Sequence, residues 1–129
     1  KDTLSKNKRK PTMNYIKKSF RSVSFDSDTF TILDGTTGSY NLCDIDKVWI
    51  LNEKASKRGK QEPFLAVVPN GPLPAGIFSE PYLFVGLKII MKDGTICAIY
   101  VSKEKTQVGT DQYKEDRKEA EAIRICLSN

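Results

Sequence analysis

Basic side chains are the residues of this chain that could do chemistry, and they form two groups. Eight of the 21 Lys and Arg residues lie within residues 1–21 beside a single acid, so the net charge of +5 is concentrated there. A second group lies in the charged loop at 53–62. Such side chains neutralise nucleic-acid phosphates and are attracted to anionic lipid surfaces. The candidate anion-contacting residues are Lys8, Arg9, Lys10, Lys54, Lys57, Arg58 and Lys60.

The N-terminal arm differs in composition from the rest of the chain. Residues 1–12 are polar and show no hydrophobic periodicity, which predicts a disordered basic arm over 1–13 and one domain over 14–129. Residues 22–129 are close to neutral, with 13 basic and 15 acidic residues. A basic tail on a neutral body is typical of a tail that touches acidic partners. The alternative is that arm and loop are merely solvated.

Apolar side chains offer two further candidate surfaces. Trp49 and Tyr40 can form an aromatic platform on which bases stack, or can pack in the core. The segment 69–81 holds four prolines and two glycines, so we expect an irregular loop. That loop carries Leu73, Ile77 and Phe78, which form either an exposed partner-binding patch or a plug that folds back into the fold.

Nothing in the sequence has the pattern of an enzyme. The chain contains no histidine, which removes Ser-His and Cys-His pairs and the His-containing zinc patterns. No spacing joins a nucleophile to a base, and no phosphate-binding or dinucleotide-binding glycine motif is present. We therefore predict a non-enzymatic protein with no metal site and no cofactor.

The three cysteines are far apart in sequence, and each has apolar neighbours. Cys43, Cys97 and Cys126 are interpreted as buried small apolar residues rather than as a disulfide framework. This use of cysteine favours a reducing compartment. We therefore expect a cytoplasmic location, with peripheral contact with a membrane as the alternative.

A long β-hairpin at 83–102 is expected to organise the fold. Asp93-Gly94 is a strong signal for a two-residue turn, and this turn would place Met91 opposite Ile96. The alternation then predicts a core face made of Leu87, Ile89, Met91, Ile96, Ala98 and Tyr100. On the other face, the turn end is polar and the apolar far end must be covered by another part of the chain.

Five more strands and one helix complete the expected elements. The strands are predicted at about 14–25, around Phe30 and Ile32, around Tyr40 and Leu42, at 47–51 and at 64–68. A helix is predicted at 111–127, capped by Thr110 or Asp111. Its apolar stripe consists of Tyr113, Ala120, Ile123 and Leu127. We expect the stripe to dock on the outer side of the hairpin or over a barrel opening.

This order of elements resembles that of bacterial pleckstrin-homology (PH)-like domains. The stretch SFDSDTFTILDGTTGSYNLCDIDKVWIL resembles their first half, and LFVGLKIIMKDGTICAIYVS with AEAIRICL resembles their last hairpin and helix. The resemblance covers residues 14–128. It implies a mainly β (α+β) fold: a seven-stranded antiparallel PH-like barrel, or two packed sheets, capped by one C-terminal amphipathic helix.

The resemblance also bears on ligands and function. Lipid-binding members carry basic residues near the loop between the first two strands, whereas this loop holds Asp26 and Asp28, so we expect no phosphoinositide binding. The leading hypothesis is a binding or scaffolding module that recognises a protein partner or associates with itself, through a strand edge or the 69–81 loop. The alternative is peripheral contact with anionic membrane or nucleic acid through the arm and the 54–60 loop.

Overall fold

The computed structural model describes residues 18–68 and 82–128, which form two antiparallel sheets and one C-terminal helix. The elements are β1 Val23–Phe25, β2 Thr29–Ile32, β3 Gly38–Asn41, β4 Ile45–Lys54, β5 Tyr82–Met91, β6 Ile96–Tyr100, β7 Thr106–Gln107 and α1 Asp111–Leu127. One sheet has the order β1-β2-β3, and the other has the order β4-β5-β6 with β7 also paired to β5. The predicted mainly β class and the C-terminal helix are confirmed. Among the described residues the strands form two sheets and do not close into a barrel.

The loop after β2 joins the two sheets by pairing with the edge of β6 that faces away from β5. The Tyr100 N–H donates to the Asp34 carbonyl at 2.9 Å, and the Thr36 N–H donates to the Ala98 carbonyl at 3.0 Å. Gly35 lies between them with a φ of +134°, and a Cβ on it would lie 2.0 Å from the Ala98 carbonyl oxygen. The close approach of this loop to β6 therefore requires glycine at position 35, both for its backbone conformation and for its lack of a side chain.

The hairpin loop has three residues, so the predicted two-residue register was wrong. The Met91 N–H donates to the Thr95 carbonyl at 2.8 Å, and the ladder continues with Ile90 opposite Ile96. Gly94 has a φ of +91°, which suits a three-residue loop whose last residue is left-handed. A shift of one residue exchanges the two faces of a strand.

The shift changes which residues of β6 enter the main core. Cys97 and Ile99 face that core, together with the correctly predicted residues Leu87, Ile89 and Met91 of β5. The predicted core residues Ala98 and Tyr100 are buried on the opposite face, in a second cluster with Phe64, and Ile96 is half-buried. The far end of the outer face is covered, as expected, but the residues beneath the cover are Ala98 and Tyr100.

The helix follows its predicted pattern. Tyr113, Ala120, Ile123 and Leu127 are buried, and the Thr110 hydroxyl caps the helix by accepting from the Tyr113 N–H at 3.2 Å. Helix α1 packs against β4, β5 and β7, and its stripe joins the main core, to which β1, β2, β5 and β6 also contribute. The helix thus lies on the inner face of the β4-β5-β6 sheet, rather than on the hairpin's outer side or over a barrel opening, the two places predicted for it.

Three local predictions differ from the structure. The expected strand at 64–68 is irregular, because Phe64 has a φ of +60°, and only Val67 bridges to Glu53. The described part of the first strand is confined to β1, and residues 14–17 lie outside the described residues. Cys97 is buried and Cys126 is half-buried, but Cys43 is exposed in the short 3-10 turn Leu42–Asp44. All three thiols are free.

Candidate functional site

The candidate residues from the sequence fall in different environments. Lys8, Arg9 and Lys10, and the loop residues Leu73, Ile77 and Phe78, lie outside the described residues. Lys54 ends β4 and is half-buried, whereas Lys57 and Lys60 are exposed just after it. Tyr40 and Trp49 lie on different sheets, so they form no common aromatic platform. Tyr40 instead stacks on Phe30 with ring centroids 5.5 Å apart.

Arg58 is engaged inside the protein. Its Nη2 lies 2.6 Å from Oδ1 of Asp34, and its guanidinium lies over the rings of Tyr100 at 4.1 Å and Phe84 at 4.5 Å. Arg21 binds the other carboxylate oxygen of Asp34 at 2.8 Å. Two guanidinium groups therefore share one carboxylate, and the charge of Arg58 serves to hold its own loop on the sheet.

A fully buried carboxylate, Glu53, lies beneath this ion pair. The Tyr100 hydroxyl donates to Glu53 Oε1, and the Phe64 N–H donates to Oε2 at 2.8 Å. Burial, reinforced by the hydrogen bond to Glu53, raises the pKa of Tyr100 well above its usual value of 10.0. Tyr100 thus keeps its proton and donates it in a hydrogen bond to Glu53. We interpret the role of this cluster as structural. Glu53 was not predicted from the sequence. The only sequence feature that indicates its position is its alternation with Trp49 and Leu51, which places it on the outer face of β4.

Residues 55–68 form a strap across the outer face of the β4-β5-β6 sheet. The Phe64 ring stacks on Tyr100 at 5.2 Å and sits above Gly86, where an added Cβ would lie 2.5 Å from its Cζ. The end of the strap pairs with the edge of β4: the Lys54 N–H donates to the Ala66 carbonyl at 3.0 Å, and the Val68 N–H donates to the Asn52 carbonyl at 2.7 Å.

Beyond the strap, the outer face carries an exposed apolar surface, here called the Trp49 surface. Trp49 is 41% exposed and pairs across the ladder with Lys88. By strand alternation its neighbours on this face are Lys47, Ile90 and Ile96, of which both isoleucines are half-buried. On the strap, Leu65 and Val67 are also exposed, at 63% and 46%, and Val67 pairs with Glu53, four positions along β4 from Trp49. We expected Trp49 either in a base-stacking pair or in the core, and it lies in neither.

Among the described residues, the edge of β4 beside the Trp49 surface has no pairing strand. Asn52 and Lys54 direct their backbone groups away from β5, toward the strap. Residues two apart in a strand point the same way, so Val48 and Ile50 direct their N–H and C=O groups to the same edge. No other backbone group in residues 18–68 and 82–128 bonds to Val48 or Ile50 on this edge. Such an edge can accept an added strand.

A separate groove of about 450 Å³ lies between β3 and the hairpin loop. Its lining includes the carboxylates of Asp44 and Asp93 and the ammonium of Lys92, all of which are exposed. Hydrogen bonds from the side chain and then the backbone of Thr95 lower the pKa of Asp93. Without a buried polar group to orient a ligand, this groove is less suited to specific binding than the Trp49 surface.

Within 18–68 and 82–128, no group of His, Cys, Asp or Glu side chains is arranged to hold a metal ion. In the same residues, no helix combines the length and apolar composition needed to cross a bilayer.

Comparison with protein-family models, with curated proteins and with solved structures found no match to this chain. Assignment to the PH-like family therefore stays a prediction from the sequence.

Proposed function

We propose that this protein is a non-enzymatic binding module that recognises a protein partner through the Trp49 surface and the open edge of β4. The observation that carries the proposal is the exposed indole of Trp49 beside an edge where Val48 and Ile50 have no backbone partner among the described residues. Tryptophan is enriched among the residues that dominate binding energy at protein interfaces. An open strand edge is a common docking place for extended peptides.

The proposed mechanism is addition of a strand to β4. Backbone groups of the incoming segment bond to Val48 and Ile50, and its side chains on the outer face cover Trp49. The strap already makes this kind of contact at Asn52 and Lys54. Lys47 and Lys88 lie beside Trp49, so acidic side chains in the partner segment complement this surface. The other source of such a segment is a second copy of this chain.

The proposal includes a PH-like fold. Seven described strands followed by a single C-terminal helix support this assignment. The two open sheets, with a long edge strand in the second, are suited to surface recognition rather than to enclosing a small ligand.

Peptide binding tests the proposal. Linear peptides selected from a random display library are synthesised and titrated, using the fluorescence of Trp49, which is the one tryptophan of the chain. We expect Trp49→Ala to weaken binding by at least about 10-fold, as for a central interface tryptophan. The titration of this variant is followed by calorimetry. Binding should also slow hydrogen exchange at the Val48 and Ile50 amides.

The control is Ile125→Ala, because Ile125 is 56% exposed and lies on α1, which packs on the face of the sheet opposite to Trp49. Equal losses for Trp49→Ala and Ile125→Ala would contradict the proposal, as would a selection that yields no binding peptide. Sedimentation of the free protein identifies the case in which the partner is a second copy.

The second candidate is peripheral contact with anionic membrane or nucleic acid. Exposed Lys57 and Lys60 on the strap favour it, together with the basic arm residues, whereas Arg58 is engaged by Asp34. Binding to anionic liposomes or single-stranded DNA that weakens with salt and with Lys57→Ala/Lys60→Ala would support this function. No binding at physiological salt would exclude it.

A further inference from the structure

We infer that the strap is a displaceable cover, which opens as a unit while both sheets stay folded. Opening would uncover an aromatic pocket and release the backbone groups of Asn52 and Lys54 from the strap, next to those of Val48 and Ile50 on the same edge of β4. The role of this opening in partner recognition rests on the proposed function, but the opening itself is measured without a partner.

The strap is held by few buried side chains. Two of its side chains are buried: Phe64, 3% exposed, in the second cluster, and Val68, 6% exposed, in the main core, whereas Leu65 and Val67 point largely into solvent. The charged residues between the 3-10 turn Ala55–Lys57 and Phe64 are exposed or half-buried. Segments with few buried apolar contacts belong to the part of a protein that opens before global unfolding.

The backbone of the strap is strained at its main anchor. Phe64 has a φ of +60°, a conformation that is unfavourable for a bulky side chain with a Cβ. The ring is nevertheless buried, since the stack on Tyr100 and the site above Gly86 hold it there. Release of the strap relieves this strain, so the closed state is less favoured than its contacts alone suggest.

The sheet beneath the strap keeps its own partners when the strap leaves. Asp34 retains Arg21 after losing Arg58, and Glu53 retains the Tyr100 hydroxyl after losing the Phe64 N–H. Opening admits water to the carboxylate that lost one donor. No charged group of the sheet is left both buried and unpaired, which removes the usual penalty for breaking such a cluster.

The uncovered pocket fits an aromatic side chain. Its floor is Gly86, and its walls are Leu51, Phe84, Ala98 and Tyr100. Phe64 itself shows the fit, with strap residues 66–68 pairing alongside it. A partner segment that carries an aromatic residue can replace both contacts, extending the strand addition proposed at Val48 and Ile50.

Native-state hydrogen exchange of the full chain tests the inference. The Lys54 amide donates from β4 to the strap, and the Phe64 and Val68 amides donate from the strap to β4. The Val101 amide, in contrast, donates to the Val85 carbonyl in the core at 2.8 Å. We expect the strap amides to exchange at least about 100-fold faster than Val101, with little dependence on denaturant, as for sub-global opening. Equal protection and equal denaturant dependence for the two sets would overturn the inference.

A variant distinguishes the contacts of Arg58 that hold the strap from the stability of the whole fold. Arg58→Ala removes an ion pair and two ring contacts, so we expect about 10-fold faster strap exchange, with a much smaller change at Val101. Tryptic cleavage after Lys57 or Lys60 should accelerate in parallel.

The matched control is Lys57→Ala, assayed by hydrogen exchange. It removes an exposed charge and should change the exchange of neither the strap amides nor the Val101 amide. If strap and core accelerate equally in Arg58→Ala, the strap is part of the global fold. Peptide binding by Trp49→Ala is measured in a different experiment, so the proposed function and the opening of the strap can each be contradicted without the other.

Discussion

Tyr100 shows how a single side chain acquires an unusual environment from distant parts of the chain. Its ring is covered by Phe64 and Arg58 from the strap, and its hydroxyl donates to Glu53 of β4. Its backbone N–H donates to Asp34 in the loop after β2. Burial is the main cause of its raised pKa, because a buried phenolate loses its contact with water; the hydrogen bond to Glu53 and the negative charge of Glu53 raise the pKa further.

The raised pKa of Tyr100 predicts a loss of stability in alkali. The folded-state pKa lies above the unfolded value of 10.0, so the unfolded state releases this proton first. The stabilising contribution is complete below pH 10.0 and falls as the pH rises from there toward the folded-state pKa. Urea unfolding at a series of pH values measures it. In Tyr100→Phe, we expect a shallower alkaline decline, and a decline of unchanged slope would contradict the assignment.

At the scale of elements, the hairpin loop decides the composition of two faces. With the three-residue loop, Ile99 is fully buried in the main core, whereas Ile96 is half-buried on the outer face. A two-residue loop would reverse these environments. The pair of isoleucines in the same short strand therefore reports on the register.

The two isoleucines of β6 provide a matched test. Ile99→Ala should lower the free energy of unfolding by about 2–5 kcal/mol, because a buried aliphatic side chain is lost and a cavity remains. Ile96→Ala should cost less than about 1.5 kcal/mol, since its side chain is already partly in water. Chemical denaturation measures both variants. A larger loss for Ile96→Ala would restore the two-residue register.

At the scale of the whole molecule, the β2–β3 loop is the junction between the sheets. Asp34 and Thr36 pair with β6 through the backbone, and Asp34 also binds Arg21 and Arg58. The main core lies between the sheets and the helix, so its closure depends on this junction. Gly35 is the residue that brings the loop close enough to pair.

Gly35→Ala should therefore destabilise the whole fold. The added Cβ meets the Ala98 carbonyl oxygen at 2.0 Å in a backbone conformation with φ of +134°. We expect a loss of about 2–4 kcal/mol from strain and overpacking, measured by thermal and urea unfolding. Gly59→Ala is the control: it also has a positive φ, of +79°, but no atom lies within 4 Å of the added Cβ. It should cost about 1–2 kcal/mol, from the backbone alone. Similar losses at both positions would mean that the junction tolerates the added methyl group.

Short-range patterns in the sequence determined the elements whose folding is local. The stripe of α1 follows from its 3.6-residue period, and the buried face of β5 follows from strict alternation. Both were predicted because each depends only on spacing within one segment. The mainly β class with a final helix follows in the same way.

Tertiary structure decided the candidate site. Asp-Gly is compatible with loops of two or three residues, so packing of β6 selected the register. The charge of Arg58 is used by Asp34, and the ring of Phe64 fills the space above Gly86, although these partners are distant in sequence. Trp49 is exposed on the outer face, and Val48 and Ile50 have no backbone partner on the edge away from β5 among the described residues. Contacts between distant segments carry no periodic signal, which is why the strap and the open edge emerged only from the folded chain.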